Sequence, residues 1–276
     1  MNKKVLTIQD ISCVGHCSLT VALPIISACG VETCVLPSAV LSTHTGGFSG
    51  FTFRDLTEDM PAICNHWEKE NIKFDCIYTG YLGSAKQIQY VKDIFQRCGK
   101  ENCVKIVDPA MADNGKLYVG FDQAFVQEMK SLCAIADIVL PNITEACLLT
   151  DTPYLQTYTP KDVQTLIQKV KALGAKTVVL TGIGYREDKT GVVVSEETQT
   201  NYYEHEKMPK GSHGTGDIYA SAFVGALTRG KTPFNAAKIA ADYTLACIKA
   251  TQGDESHWYG ARFETSLPLL INRINE

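Results

Sequence analysis

Short β-branched runs separated by stretches of helical period leave this chain few architectures to choose from. VLTIQ at 5–9, DCIYTG at 75–80, VKIVD at 104–108, DIVL at 137–140 and TVVLTG at 177–182 each have the length and composition of a buried strand. Between them, Ile88, Val91, Ile94, Phe95 and Cys98 recur at helical spacing, as do Val163, Leu166, Ile167, Val170 and Leu173. Each set offers one apolar stripe to a sheet. The alternation therefore predicts an α/β fold with a mostly parallel central sheet flanked by helices. The rhythm changes in the last third, where 190–194 and 199–205 suggest an antiparallel hairpin, followed by helices over 217–229 and 233–251. Residues 41–55, LSTHTGGFSGFTFRD, are glycine-rich with short aromatic alternation, and a small β flap is expected there. No linker, repeat or low-complexity tract divides the chain. Residues 1–276 are thus expected to form one domain, long enough to bury roughly 70 to 75% of the surface its unfolded form exposes.

The charge balance narrows the partners. With 26 basic and 30 acidic side chains, well mixed, the net charge is −4. That argues against nucleic acid or an anionic membrane and favours a small molecule. The eleven cysteines are odd in number and mostly sit in apolar runs, as at Cys29, Cys34, Cys76, Cys133, Cys147 and Cys247. Buried thiols in a reducing cytoplasm fit this better than a disulfide framework. Cys13 and Cys17 stand one residue too far apart for a CxxC pair, and no His, Cys or carboxylate spacing suggests zinc. The start, MNKKVLTIQD, is too short in apolar residues for a signal-peptide core, and no stretch approaches the ~20 apolar residues of a membrane span. A cytoplasmic location is expected.

The most informative segment is GSHGTGDIYASAFVGAL, beginning at Gly211. Two glycines bracket Thr215 and a helix-favouring run follows at once. The amides of Gly214, Thr215, Gly216 and Asp217 would then lie at a helix N-terminus, whose free N–H groups and positive dipole end attract anions. Asp217 in the first turn is placed to position or deprotonate an incoming hydroxyl. The same residues also suit a plain tight turn with an acidic helix start. VDPAMAD puts Asp108 just past one strand, and PNITE puts Asn142 and Glu145 past the next. In open α/β sheets ligands bind beyond the carboxyl ends of strands, so these groups and Asp217 can share one crevice. Taken singly, Asp108 and Asn142 are also ordinary loop starters beside prolines.

GTGD before a helix, DP after a strand, PNxxE, and TG after a later strand occur here in an order that resembles the ribokinase-like superfamily over nearly the whole chain. Within it, TIQD with VGH, LSTHTG, TGYLGSAKQ, VDPAMAD, PNITEACLL, VVLTG and HGTGD are most similar to the pyridoxal kinase branch. The resemblance implies an ATP-dependent kinase acting on the 5′-hydroxymethyl group of pyridoxal, pyridoxamine or pyridoxine. It implies Asp217 as base, with Gly214, Thr215 and Gly216 forming an anion hole. Asp108 and Glu145 would act on Mg2+, and Asp108, Asn142 and Thr181 on ATP. Asp10, Thr45 and Tyr81 would line the vitamin pocket, with His44 beside Thr45 also able to touch substrate. Family members commonly need a monovalent cation such as K+ and are often homodimers. Two departures stand out: Asp10 where serine is usual, and DPAMAD where VMGD is typical. A carboxylate at position 10 bears on which vitamer is preferred.

Other readings compete. GALTRGKT, Gly225 to Thr232, satisfies the GxxxxGK[ST] pattern of a P-loop, but the preceding residues are expected to be helical rather than strand. Gly230 is expected to end that helix, with Thr232 and Pro233 opening the next. His16 and His213 flank glycine turns and suit structural roles, although His213 stands beside the anion loop. A hydroxymethylpyrimidine kinase would share fold and chemistry. A non-catalytic vitamin-binding relative would have no need of a carboxylate at Asp217. A dinucleotide oxidoreductase is disfavoured because no GxGxxG follows the first strand.

Overall fold

The computed structural model describes residues 3–209 and 211–276. Eleven strands occur in chain order among them: β1 (Lys4–Ser12), β2 (Glu32–Leu41), β3 (Phe53–Asp55), β4 (Phe74–Thr79), β5 (Gly99–Val107), β6 (Ala112–Asp113), β7 (Lys116–Leu117), β8 (Ile138–Val139), β9 (Thr177–Ile183), β10 (Lys189–Ser195) and β11 (Thr200–Glu206). The helices are α1 (Leu19–Ala28), α2 (Met60–Lys69), α3 (Ala85–Arg97), α4 (Gln123–Cys133), α5 (Ile143–Leu149), α6 (Pro160–Lys171), α7 (Thr215–Thr228), α8 (Pro233–Thr251) and α9 (Leu267–Asn275).

Nine strands form one sheet in the order β11-β10-β9-β8-β5-β4-β1-β2-β3, and β6 and β7 form a separate two-stranded ribbon. From β2 to β9 all neighbours run parallel, whereas β3 at one edge and β10 and β11 at the other are antiparallel. This is the expected α/β architecture. Leu6 and Ile8 of β1 join Ile88 and Val91 of α3 and Val163 and Leu166 of α6 in one core. Val5 faces the other way, into a second core with Ile25 of α1, Phe223 of α7 and Ala240 of α8. Helices thus cover both faces, and the inner strands read as near-continuous apolar runs because neither face meets water.

Local chemistry sets the helix starts. Ser84, Asp122, Asn142, Thr159 and Thr232 each accept a main-chain N–H with their side chains at the starts of α3, α4, α5, α6 and α8. Pro160 and Pro233 occupy first helical positions, where a missing N–H is harmless. The P-loop-like stretch is a helix junction: Gly225 lies inside α7, Gly230 has φ +93°, and Thr232 caps α8.

Three sequence expectations change. The run at 137–140 yields only the two-residue strand Ile138–Val139. Asp10, expected just past its strand, lies within β1. The expected β flap at 41–55 is β only at its base, where Phe53–Asp55 pairs with Ala39–Leu41. Residues 42–52 are irregular and are held by Ser42 N–H donating to the Thr52 carbonyl (3.2 Å) and His44 N–H to the Val14 carbonyl (3.3 Å). With glycine at 46, 47 and 50, this stretch has too little side-chain packing to extend a ladder.

Candidate active site

Gly214 enters α7 with φ +75°, and a Cβ there would lie 1.7 Å from the His16 carbonyl oxygen, so only glycine fits. No side chain caps α7, in contrast to α3, α4, α5, α6 and α8. The first amides of α7, on Thr215, Gly216 and Asp217, are therefore left for a ligand or water. At Gly216 the backbone is helical and a Cβ would meet nothing within 4 Å. Its lack of a side chain thus keeps space open beside the amides rather than relieving the chain.

Asp217, in the first turn, does not cap its own helix. Its Oδ2 accepts the Ser18 N–H at 3.0 Å, across from the start of α1. Burial pushes this carboxyl up to about 7, with the Ser18 N–H opposing the rise and Asp10 adding to it. A carboxyl that titrates near neutrality is suited to accepting a proton. Ser18 has φ +55°, a strained value for a residue with a side chain. Its hydroxyl turns to Asp10, so one residue braces both carboxylates.

Asp10 is only 4% exposed. It sits where the register between β1 and β2 shifts, between the Gln9–Pro37 and Ile11–Val40 pairs. Such irregularities re-aim side chains near active sites. The Ser12 hydroxyl donates to Asp10 at 2.8 Å, and burial raises this carboxyl too. Asp10 acts electrostatically on His44, Tyr81 and Asp217, which places all four around one end of the cleft. Tyr81 is half-buried with its ring 5.5 Å from that of Phe121, and Thr45 is exposed beside His44. His44 has both ring nitrogens engaged: Gly46 N–H donates to Nδ1 at 3.0 Å, so Nε2 carries the hydrogen and donates to the Tyr259 carbonyl at 2.5 Å.

At the other end stand Asp108 and Glu145. Glu145 is 3% exposed and accepts N–H groups from Asn142 (2.8 Å) and Met111 (3.2 Å), yet burial still pushes it up to about 8. Asp108 is raised by burial, by Glu145 and by Asp217. None of the ion pairs among the described residues involves Asp10, Asp108, Glu145 or Asp217. Among the described residues no three His, Cys, Asp or Glu side chains could hold a metal ion by themselves. Asp108 and Glu145, close enough for one to raise the other, suit a cation whose remaining ligands are water and phosphate oxygens.

Asn142 and Thr181 lie side by side, joined by a parallel bridge in which Thr181 N–H donates to the Pro141 carbonyl at 3.0 Å. The Asn142 amide caps α5 through Oδ1 and donates from Nδ2 to the Ala112 carbonyl at 2.8 Å, leaving one amide hydrogen free. The structure thus gathers the predicted residues along one edge of the sheet. Sequence reasoning missed Ser12 and Ser18, whose only signal was their place around the Val14-Gly15-His16 turn.

A family model described as Phosphomethylpyrimidine kinase matches residues 23–260. The chain belongs to that family. Among solved structures, one from Bacteroides thetaiotaomicron, provisionally assigned as a phosphomethylpyrimidine kinase and crystallised with pyridoxal, is 36% identical with a TM-score of 0.92, covering 98% of this chain and 96% of that one. The pyridoxal kinase of Lactobacillus plantarum is 31% identical with a TM-score of 0.90, covering 98% and 97%. The pyridoxal kinase of Dictyostelium discoideum is 26% identical over 100% of this chain and 87% of its own length. The resemblance to the ribokinase-like superfamily and its pyridoxal kinase branch, read from the motifs, is thereby borne out.

Proposed function

We propose that this chain is an ATP-dependent kinase that phosphorylates the 5′-hydroxymethyl group of pyridoxal, pyridoxamine or pyridoxine. The observation that carries the reading is the pairing of the Asp217 carboxyl, titrating at about 7, with the uncapped N-terminus of α7. One group accepts a proton and the other holds phosphoryl charge, which are the two needs of phosphoryl transfer. The pyridoxal kinases of L. plantarum and D. discoideum support the substrate class.

In the reaction, the vitamin alcohol approaches Asp217, which takes its proton as the oxygen attacks the γ-phosphorus. The bond to the bridging oxygen breaks and ADP leaves. Amides of Thr215 and Gly216 receive the negative charge on the transferring oxygens. Asp10 and Tyr81 orient the vitamin, Thr45 closes over it from the 41–55 segment, and Asn142 and Thr181 meet the nucleotide phosphates. Asp108 and Glu145 would hold magnesium, in part through water, and bound Mg2+ would neutralise charge on the phosphate oxygens. Water exclusion beneath the 41–55 segment limits wasteful ATP hydrolysis.

Potassium dependence and a homodimer belong to the same reading. A cytoplasmic location is supported by eleven free thiols. No helix among the described residues is long and apolar enough to cross a membrane. A second reading, hydroxymethylpyrimidine phosphorylation, is favoured by the matching family description. A coupled ADP-release assay against the three vitamers and hydroxymethylpyrimidine, with and without potassium, separates the two. Turnover of hydroxymethylpyrimidine alone would overturn the B6 assignment.

A further inference from the structure

The connection between α8 and α9, residues 252–266, takes no part in the chemistry above, yet it touches three loops of the substrate end of the cleft. Its Tyr259 carbonyl accepts from His44 on the 41–55 segment. Its Ala261 carbonyl accepts from His16 Nδ1 at 2.7 Å, on the loop between β1 and α1. Its Ala261 N–H donates to the His213 carbonyl at 3.2 Å, on the loop that enters α7. One short stretch, distant in sequence from two of these loops, thereby fixes their spacing.

Aromatic packing adds a fourth tie. The Trp258 ring lies 4.6 Å from that of Phe48, and Tyr259 lies 6.4 Å from the same ring. Gly47 presses its main chain on the indole, where a Cβ would stand 3.0 Å away. Trp258 is nevertheless 50% exposed, so its packing serves the 41–55 segment more than the core. The connection is itself braced. The Asp254 carboxylate accepts Ser256 N–H at 3.0 Å and faces Arg262 and His257 at 3.2 Å each, while Tyr243 OH donates to the Phe263 carbonyl at 3.0 Å. A stiff base lets a stacked ring hold a glycine-rich segment in one place. Burial holds the His44 imidazole below its ordinary range, in keeping with a neutral ring tied at both nitrogens.

We propose that Trp258 and Tyr259 are positioning residues that hold the 41–55 segment over the vitamin, with His44 as the peg between them. They set vitamer affinity without touching the reacting atoms. The inference rests on the B6 kinase reading for its kinetics but not for its structural test.

That test pairs hydrogen exchange with steady-state kinetics on the full chain, comparing wild type with Trp258→Ala, Trp258→Phe, Phe48→Ala and the Trp258→Ala/Phe48→Ala double variant. Trp258→Ala should speed exchange in peptides covering 44–52 while leaving β1 and α7 unchanged. KM for pyridoxal should rise about tenfold, the scale of one lost aromatic pair, while KM for ATP and kcat at saturating pyridoxal stay within about twofold. Trp258→Phe should restore KM, and the double variant should be no worse than Trp258→Ala. Unchanged exchange at 44–52 would overturn the proposal, as would additive effects in the double variant. A parallel rise of both KM values with faster exchange throughout would show a merely structural residue and overturn it equally. If wild type phosphorylates no vitamer, the kinase reading fails, and exchange at 44–52 still decides whether Trp258 holds the segment.

Discussion

Replacing Asp217 by asparagine should make the protein more stable and far less active, with a pH dependence that ties the two effects to one carboxyl. The folded chain holds this group at about 7 against an ordinary 3.8, chiefly through burial. Roughly three pH units at about 1.4 kcal/mol each give about 4 kcal/mol as the largest destabilisation the ionised group brings. The sign follows from proton counting. Between pH 4 and 7 the folded state binds more protons at this site than the unfolded state, so stability falls as pH rises through that window. The substituted amide is neutral throughout and its oxygen can still accept the Ser18 N–H, so that slope disappears. At about pH 4 the two proteins should melt together. At about pH 8 the Asp217→Asn variant should melt higher by about 7 °C, the shift that about 4 kcal/mol gives in a chain of this length. Its kcat should drop on the order of 10² to 10⁴, the usual contribution of a general base, with a smaller change in ATP affinity. Thermal melts across that pH range and coupled kinetics just above neutrality check both. A melting difference that stays constant with pH would refute the buried, raised carboxyl, and near-normal turnover would refute its role as base.

For wild type, log kcat/KM should climb with unit slope below about pH 7 and level off above it, because only the deprotonated carboxyl takes the hydroxyl proton; a flat profile down to about pH 5 would contradict this. Gly214→Ala should lower stability by more than about 1 kcal/mol, since it combines φ +75° with a Cβ placed on the His16 carbonyl, and should lose activity with it. Gly216→Ala should melt near wild type but lose about 10² in kcat/KM, because its Cβ meets no protein atom and intrudes only on the phosphoryl group; melts and kinetics of the pair separate the two glycines. Lys231→Ala should leave KM for ATP unchanged, as befits a junction between α7 and α8 roughly 20 Å along α7 from its N-terminus.

What could be read from the chain beforehand depended on whether its meaning was local. The helix over 233–251 carries its own cap at Thr232 and proline at Pro233, and the structure has it with those bounds. The strand before Asp108 is legible from its apolar end at 104–108, and the structure has it end at Val107 but begin at Gly99, where exposed polar residues give no strand signal. By contrast, β2 reads as ETCVLPSAVL, and its Pro37 argues against a strand until a register shift beside it is seen. Irregular flap structure was hidden for a related reason, since aromatic alternation at 48–53 imitates a strand while the glycines at 46, 47 and 50 prevent one. For the site, residue types and spacing picked out Asp108, Glu145 and Asp217, which stand near strand ends and helix starts, whereas Asp10 came only from the family resemblance. Ser18 was invisible because its value lies in a strained backbone and in two partners, Asp10 nearby and Asp217 across 199 positions. The α8–α9 connection was invisible too, because it supplies carbonyls, an amide and a ring to loops as far as 245 positions away. Chemistry that resides in a side chain leaves a mark in the sequence, whereas chemistry that resides in where the main chain passes does not. The residues proposed for phosphoryl transfer are therefore legible from their types taken together, and the ones proposed to hold them in place become legible only once the chain is folded.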